Sequence, residues 1–100
     1  MDWTPRKLLT VIAEAALERR LAADFGRLGA QGYTAWPCRG QGHRGLREGE
    51  WEPSSNVCFQ IVCDEATADR VAAHLLATYY ADFGIVVHLG EVTVLRPEKF

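Results

Sequence analysis

The sequence predicts one α+β domain with the element order β-α-β-β-α-β, and three observations predict it. The 100-residue chain is long enough for one domain and too short for two. Its hydrophobic periodicity alternates between strand-like and helix-like, giving two β-α-β halves in succession. Glycines, a proline and a capping aspartate fall where the periodicity changes.

Taken in order, "RKLLTVIA", residues 6–13, is apolar on both alternating sets, which predicts a central strand buried on both faces. From Ala13 the apolar positions become Leu17, Leu21, Phe25 and Leu28, a helical stripe. Gly29 and Gly32 supply stop signals, so the first helix is expected over about 15–28. "YTAWPC", 33–38, reads as a strand, and Pro37, with no N–H to donate, confines it to an edge or a bulge. "NVCFQIVC", 56–63, is the next strand, with Val57, Phe59 and Ile61 on one face. Asp64 stands as N-cap of a second helix whose apolar positions are Ala68, Val71, Ala72, Leu75, Leu76 and Tyr79. Gly84 ends that region, and "IVVHLGEVTVL", 85–95, is a long strand whose irregular alternation around Gly90 marks a bulge. This order is the split pattern of the ferredoxin-like fold, a four-stranded antiparallel sheet with two helices on one face.

Two helices hide one side of such a sheet. Yet Leu8, Leu9, Val11 and Ile12 on the first strand, and Val86, Val87, Val92 and Val94 on the last, put apolar side chains on both. Something else must cover the second face, and self-association is the simplest cover.

Composition narrows the function classes. At 48% apolar, with a formal charge of −2, the chain has the make-up of a folded globule and lacks the basic excess of a protein that neutralises many phosphates. A small anion is a better-suited partner than nucleic acid. The start "MDWTPRKLL" has no basic segment followed by a long apolar run, and no stretch reaches the roughly 18 apolar residues of a membrane span, so a cytoplasmic protein is expected. Cys38, Cys58 and Cys63 contain no CxxC pair, and Cys58 and Cys63 fall on opposite strand faces, which predicts reduced, largely buried thiols. With His43, His74 and His88 scattered over loop, helix and strand, no metal-ligand spacing emerges.

"GQGHRG", Gly40 to Gly45, matches the dinucleotide pattern G-x-G-x-x-G letter for letter. That pattern works by joining a strand to a helix whose N-terminus receives the pyrophosphate. Here "LREGEWEPSS" follows, with Gly49 and Pro53, and leaves no room for a crossover helix before the strand at Asn56. The match is a coincidence of letters. The stretch is instead the base of a long loop, about 39–54, between two strands that a tight turn could join, and loops of that length in compact domains usually carry function or lack order. Its glycines allow close backbone approach, and Arg39, Arg44 and Arg47 offer forked donors suited to phosphate. A solvated turn whose arginines pair with Glu48, Glu50 and Glu52 fits the same composition, and chemistry alone leaves the two readings level.

The run "GYTAWPCRGQGHRGLR", with "SNVCFQIV" and "YYADFGIVVHLGEVTVL", resembles the PII-like signalling proteins, particularly those associated with bicarbonate transporters and carboxysomes. The resemblance extends from about Arg6 to Leu95, and its most specific part is the Gly-Tyr-Thr strand leading into a G-x-G-x-R-x-x-R loop base. It implies a single PII-like domain over 1–100, a trimer with its sheets facing inward, and adenine nucleotides held in clefts between subunits. The long loop corresponds to the T-loop, through which such proteins reach a partner such as a bicarbonate transporter or carboxysome component. By the same resemblance, Gly32, Tyr33 and Thr34 lie beside the nucleotide, and Gly40, Gln41 and Gly42 form the backbone cradle. Arg44 and Arg47 contact phosphate, and Leu89 and Gly90 meet the adenine across the cleft. Plain packing by Tyr33 and Leu89, strand propensity at Thr34 and a bulge at Gly90 explain those four residues equally well.

The chain departs from the nitrogen-regulatory members in lacking a B-loop lysine and a modifiable loop tyrosine, which speaks against a 2-oxoglutarate and ATP sensor. With the sequence reading "RPEKF" at its end, the cysteine-bearing C-terminal extension of some transporter-associated relatives is not expected. The implied regulatory ligands are then AMP and ADP, with bicarbonate, and ATP or cyclic AMP as alternatives. No cofactor and no catalytic activity are implied. Two rivals share the fold: an acylphosphatase-type enzyme, whose anion cradle would sit at the first strand–helix junction where this chain has "AEAA", and a trimeric metal-responsive protein.

Overall fold

A computed structural model describes residues 1–40 and 55–100. Strand β1 (Thr4–Glu14) leads through a single 3₁₀ turn into α1 (Glu18–Arg27). β2 (Thr34–Cys38) and β3 (Asn56–Cys63) follow, then α2 (Glu65–Thr78) and β4 (Val86–Val94). The strands form one sheet in the order β2-β3-β1-β4, every neighbouring pair antiparallel. This is the ferredoxin-like α+β arrangement that the sequence predicts, with β1 central and the proline-bearing β2 at an edge. No described helix is long and apolar enough to cross a membrane.

Strand parity decides where the core forms. Leu9, Val11 and Ala13 of β1 and Val57, Phe59 and Ile61 of β3 are buried beneath the helices. Leu21 and Phe25 of α1 and Val71 and Leu75 of α2 meet them from above, all with 0% exposure. The Phe25 and Phe59 rings pack edge to face at 5.0 Å, the geometry that ring quadrupoles favour. Each such buried side chain contributes about 1.5–3 kcal/mol relative to remaining in water. Cys63 joins this core while Cys58 lies on the other face, and burial is the main cause that pushes both thiols up. All three cysteines are free thiols.

Three local details differ from the sequence expectation. The first helix becomes α-helical at Glu18 and not at 15, because neither Glu14 nor Leu17 supplies a side-chain cap and the chain starts with the tighter 3₁₀ turn Ala15–Leu17. Leu76 is 63% exposed. The buried stripe runs Ala68, Val71, Leu75, Tyr79, and one residue beyond Leu75 rotates a side chain about 100° around the helix, out of the core. Gly90 makes no bulge: β1 and β4 pair without interruption from Thr4–Val94 to Ile12–Val86. The uneven alternation around it reflects an edge strand whose residues need not be buried on either side.

Other signals act as expected. The Asp64 carboxylate accepts the Thr67 amide at 2.8 Å, capping α2, and this bond is the chief cause that lowers the Asp64 carboxyl. Gly29 ends α1 at φ +107°, where the Ala30 amide reaches the Phe25 carbonyl at 3.0 Å. A Cβ at Gly29 would lie 2.9 Å from Nη1 of Arg70. That guanidinium donates to the Leu28 carbonyl at 2.7 Å and so ties α2 to the end of α1.

A second tie joins the helices around Asp24. Its carboxylate accepts from the Tyr79 hydroxyl, and it lies 3.0 Å from His74 Nε2 and 3.3 Å from Arg27 Nη2. Arg20 lies over the Tyr79 ring, 4.8 Å from its centroid. Burial alone would raise the Asp24 carboxyl, but the bonds from Tyr79, His74 and Arg27 outweigh it and hold it low. The tyrosine shifts the other way, raised first by burial and then by Asp24.

A carboxyl held low in the folded chain stabilises it fully above the usual carboxylate range and ceases to do so as pH falls through the folded value. Asp24→Ala should therefore cost about 1–3 kcal/mol in urea unfolding at neutral pH, with part of that deficit vanishing below about pH 3. A deficit constant from pH 7 to pH 2.5 would assign the cost to packing instead.

Candidate functional site

The structure places the candidate residues in three separate groups. Gly32, Tyr33 and Thr34 lie at the start of β2, and Gly40 lies just past its end. Leu89 and Gly90 lie on β4, opposite Leu9 and Leu8. Gln41, Gly42, Arg44 and Arg47 lie outside the described residues, as does the rest of 41–54.

β2 and β4 are the two edges of the sheet, with β3 and β1 between them. Three strand spacings, about 14 Å, therefore separate Thr34 from β4 within one chain. Thr34 pairs with Gln60, Gln60 with Thr10, and Thr10 with His88, so the start of β2 stands level with Leu89 and Gly90 across the whole width of the sheet. Gly40 is displaced along β2 by six residues, about 20 Å of extended chain. One copy of the chain thus sets these groups around its rim and does not gather them.

Their individual environments differ. The Tyr33 ring packs edge to face on Phe59 at 5.4 Å and near Phe25 at 6.5 Å, so it seals the margin of the core while remaining 47% exposed. Thr34 is exposed on the sheet face away from the helices, and Leu89 is half exposed on the helix side of β4. A Cβ placed on Gly32, Gly40 or Gly90 would meet nothing within 4 Å. Gly26 and Gly84 share that freedom, so open space by itself does not single out a site. Among the described residues, then, packing requires none of the three candidate glycines, in contrast to Gly29.

The chain also has a shallow cavity of about 150 Å³ at the far end of β1, between Arg6, Lys7, Asp64 and Glu91. Lys7 and Glu91 form an ion pair across it, which raises the lysine and lowers the carboxyl. Asp64 there caps α2, Arg6 donates to the Pro5 and Pro97 carbonyls, and none of the candidate residues is among its described lining.

Sequence reasoning overlooked one feature of the exposed sheet face, the polar row Thr34, Gln60, Thr10 and His88. Its signal was present, since Thr10, Gln60 and His88 each interrupt an apolar run, in "LLTVI", "CFQIV" and "VVHLG". Only strand pairing reveals that the three interruptions meet.

A sheet of this order beneath two helices is the fold of the PII-like proteins. The chain belongs to the nitrogen regulatory protein P-II family, whose model matches residues 6–99. Members of that family are regulatory proteins, not enzymes, and their small-molecule ligands are regulators rather than cofactors. A PII-like signalling protein from Thermus thermophilus is 38% identical over 100% of this chain and 99% of its own, with a TM-score of 0.84. CPII from Thiomonas intermedia, solved bound to ADP, AMP and bicarbonate, is 25% identical over 99% of this chain and 96% of its own, with a TM-score of 0.84. GlnK from B. subtilis, solved as its ATP complex, shares the fold at a TM-score of 0.58 and 17% identity, covering 96% of each chain. This membership sets aside the acylphosphatase-type and metal-responsive rivals.

Proposed function

We propose that the protein is a cytoplasmic, trimeric PII-like regulator. It binds an adenine nucleotide, AMP or ADP foremost, in clefts between subunits, with bicarbonate as a second ligand, and so reports energy or inorganic-carbon status to a protein partner. The observation that carries this reading is the division of Gly32–Thr34 and Leu89–Gly90 between opposite sheet edges at one level. A cyclic assembly that brings the β2 edge of one copy beside the β4 edge of the next joins what a single chain keeps about 14 Å apart. The uncovered sheet face supports the same assembly, with Trp36 39% and Val86 51% exposed on it. The likeness to CPII, which was solved with ADP, AMP and bicarbonate, supports the ligand class.

In this reading the backbone of Gly40, Gln41 and Gly42 approaches the phosphate closely because no side chain intervenes at the two glycines, and Arg44 and Arg47 hold it with charge-assisted hydrogen bonds. Thr34 offers a hydroxyl to the nucleotide, and Tyr33 fixes the strand on which Thr34 stands. Leu89 and Gly90 present strand backbone to the adenine. The loop over about 39–54 acts as the T-loop, with Trp51 its aromatic contact to a partner such as a bicarbonate transporter or carboxysome component.

Titration calorimetry with AMP, ADP, ATP and cyclic AMP, each with and without bicarbonate, tests the ligand class. Arg44→Ala and Arg47→Ala should each weaken nucleotide binding about ten- to a hundredfold with little change in unfolding. Undiminished binding in both would withdraw their phosphate role. Location between copies has its own test. The double arginine variant and Gly90→Trp should each fail to bind alone, and equal amounts unfolded and refolded together should regain about a quarter of the sites. Absence of any regain would place the arginines and Gly90 in the same copy's site.

A further inference from the structure

Each strand contributes one member to the row Thr34–Gln60–Thr10–His88, and direct pairing puts all four on the face opposite Phe59 and Val11. The neighbouring row on one side is Trp36, Cys58, Ile12 and Val86, and on the other Val62, Leu8 and Gly90. A polar line therefore runs from one edge to the other between two apolar rows, with Arg6 and the Glu14–Asn56 pair farther out on the same face. Among the described residues, no side-chain hydrogen bond joins any of the four to another residue. Thr10 sits lowest in the line at 6% exposure, while Thr34 and His88 at its two ends are exposed.

The chemistry of the line identifies its partner. The three rows together contain no carboxylate, ammonium or guanidinium group. A hydroxyl, a primary amide and a neutral imidazole each both donate and accept hydrogen bonds. An acidic or basic partner would be met by charge, and a wholly apolar partner would leave these groups dry and unpaired. A second copy of the same surface suits them, because identical copies carrying like charges would repel, whereas groups that donate and accept can pair with their own kind. The line also ends on the two sheet edges, at Thr34 on β2 and His88 on β4.

We infer that in the assembled protein the rows of successive copies join end to end, Thr34 of one beside His88 of the next, into a closed polar belt around the inner face whose groups, unbonded to side chains of their own copy, hydrogen-bond to those of the neighbouring copies. This inference rests on the trimeric reading above and adds what fixes its register. Apolar rows can slide past one another at little cost, whereas a polar row that slips leaves donors and acceptors desolvated without partners. The belt is thereby the element that holds the β2 edge of one copy level with the β4 edge of the next.

Sedimentation equilibrium over nanomolar to micromolar protein tests it. Gln60→Met keeps the side-chain length and removes its hydrogen bonds. It should weaken self-association about tenfold or more, and Gln60→Glu, which repeats a negative charge in every copy, should weaken it further. His88→Phe, at an exposed edge position, carries the same test should Gln60→Met fail to fold. Self-association as tight as that of the unaltered protein, or tighter, in the folded Met or Phe variant would overturn the belt while leaving the trimer intact. An unaltered protein that stays monomeric at micromolar concentration would defeat the trimeric reading itself, and the belt with it.

Discussion

The pairing of β1 along both of its edges is the constraint on which the rest depends. Its register with β3 and β4 assigns every odd-numbered residue from Leu9 to Ala13 to the helix side and every even-numbered one from Leu8 to Ile12 to the other. A slip of one residue would exchange Val11 for Thr10 on the helix side and put a hydroxyl in the apolar core where a methyl belongs. Because the strand is paired on both sides, that single choice propagates across the sheet. It orients Phe59 towards the helices, Gln60 away from them, and His88 towards the same face as Gln60. The core, the uncovered face and the level of the two edges are consequences of one register.

The helices secure this arrangement by different means at their two ends. At the end of α1, a left-handed glycine admits the Arg70 guanidinium to the Leu28 carbonyl. Further back, Asp24 gathers a tyrosine, a histidine and an arginine. Both ties lie on the helix layer's own surface, so neither helix extends a polar group through the sheet to satisfy the opposite face. On that face the row Thr34, Gln60, Thr10 and His88 keeps its side-chain hydrogen-bonding groups available for molecules outside the chain.

Much of this was legible in the sequence because the relevant signals are local. Alternation in "NVCFQIVC" fixed which residues face the core, Pro37 consigned β2 to an edge, and Asp64 marked the start of α2. Each depends on residues within a turn or two of one another. The misreadings arose where local pattern and tertiary place disagree. Gly90 looked like a bulge because an edge strand tolerates uneven alternation, and Leu76 looked like core because the sequence does not state how wide a stripe the sheet can cover. The first helix starts late because the missing cap is a matter of one side chain. The polar row was illegible for a deeper reason: Thr10, Gln60 and His88 are far apart in sequence and become a line only through register. The loop arginines stand apart again, since their proposed role is carried by resemblance and their positions lie outside the described residues.

A site drawn from two copies has a thermodynamic consequence that a site within one chain lacks. If nucleotide contacts the loop base of one subunit and β4 of the next, it binds the assembly and not the separate chains, so every increment of binding free energy also stabilises the interface. The reverse holds by the same linkage: whatever fixes the register of the interface raises the fraction of copies competent to bind. The face that packs the subunits and the rim that binds the ligand then act as one device, because β1 sets the level of both. A message to a partner requires that ligand favour one conformation of the loop over another, and the size of that shift is bounded by the ligand's differential affinity for the two. Gly40 stands where β2 ends and the loop begins, between the fixed sheet and the segment that would carry the message. Among the described residues it has no neighbour that a Cβ would touch, so the sheet leaves open the place where a phosphate would restrict the chain as it departs.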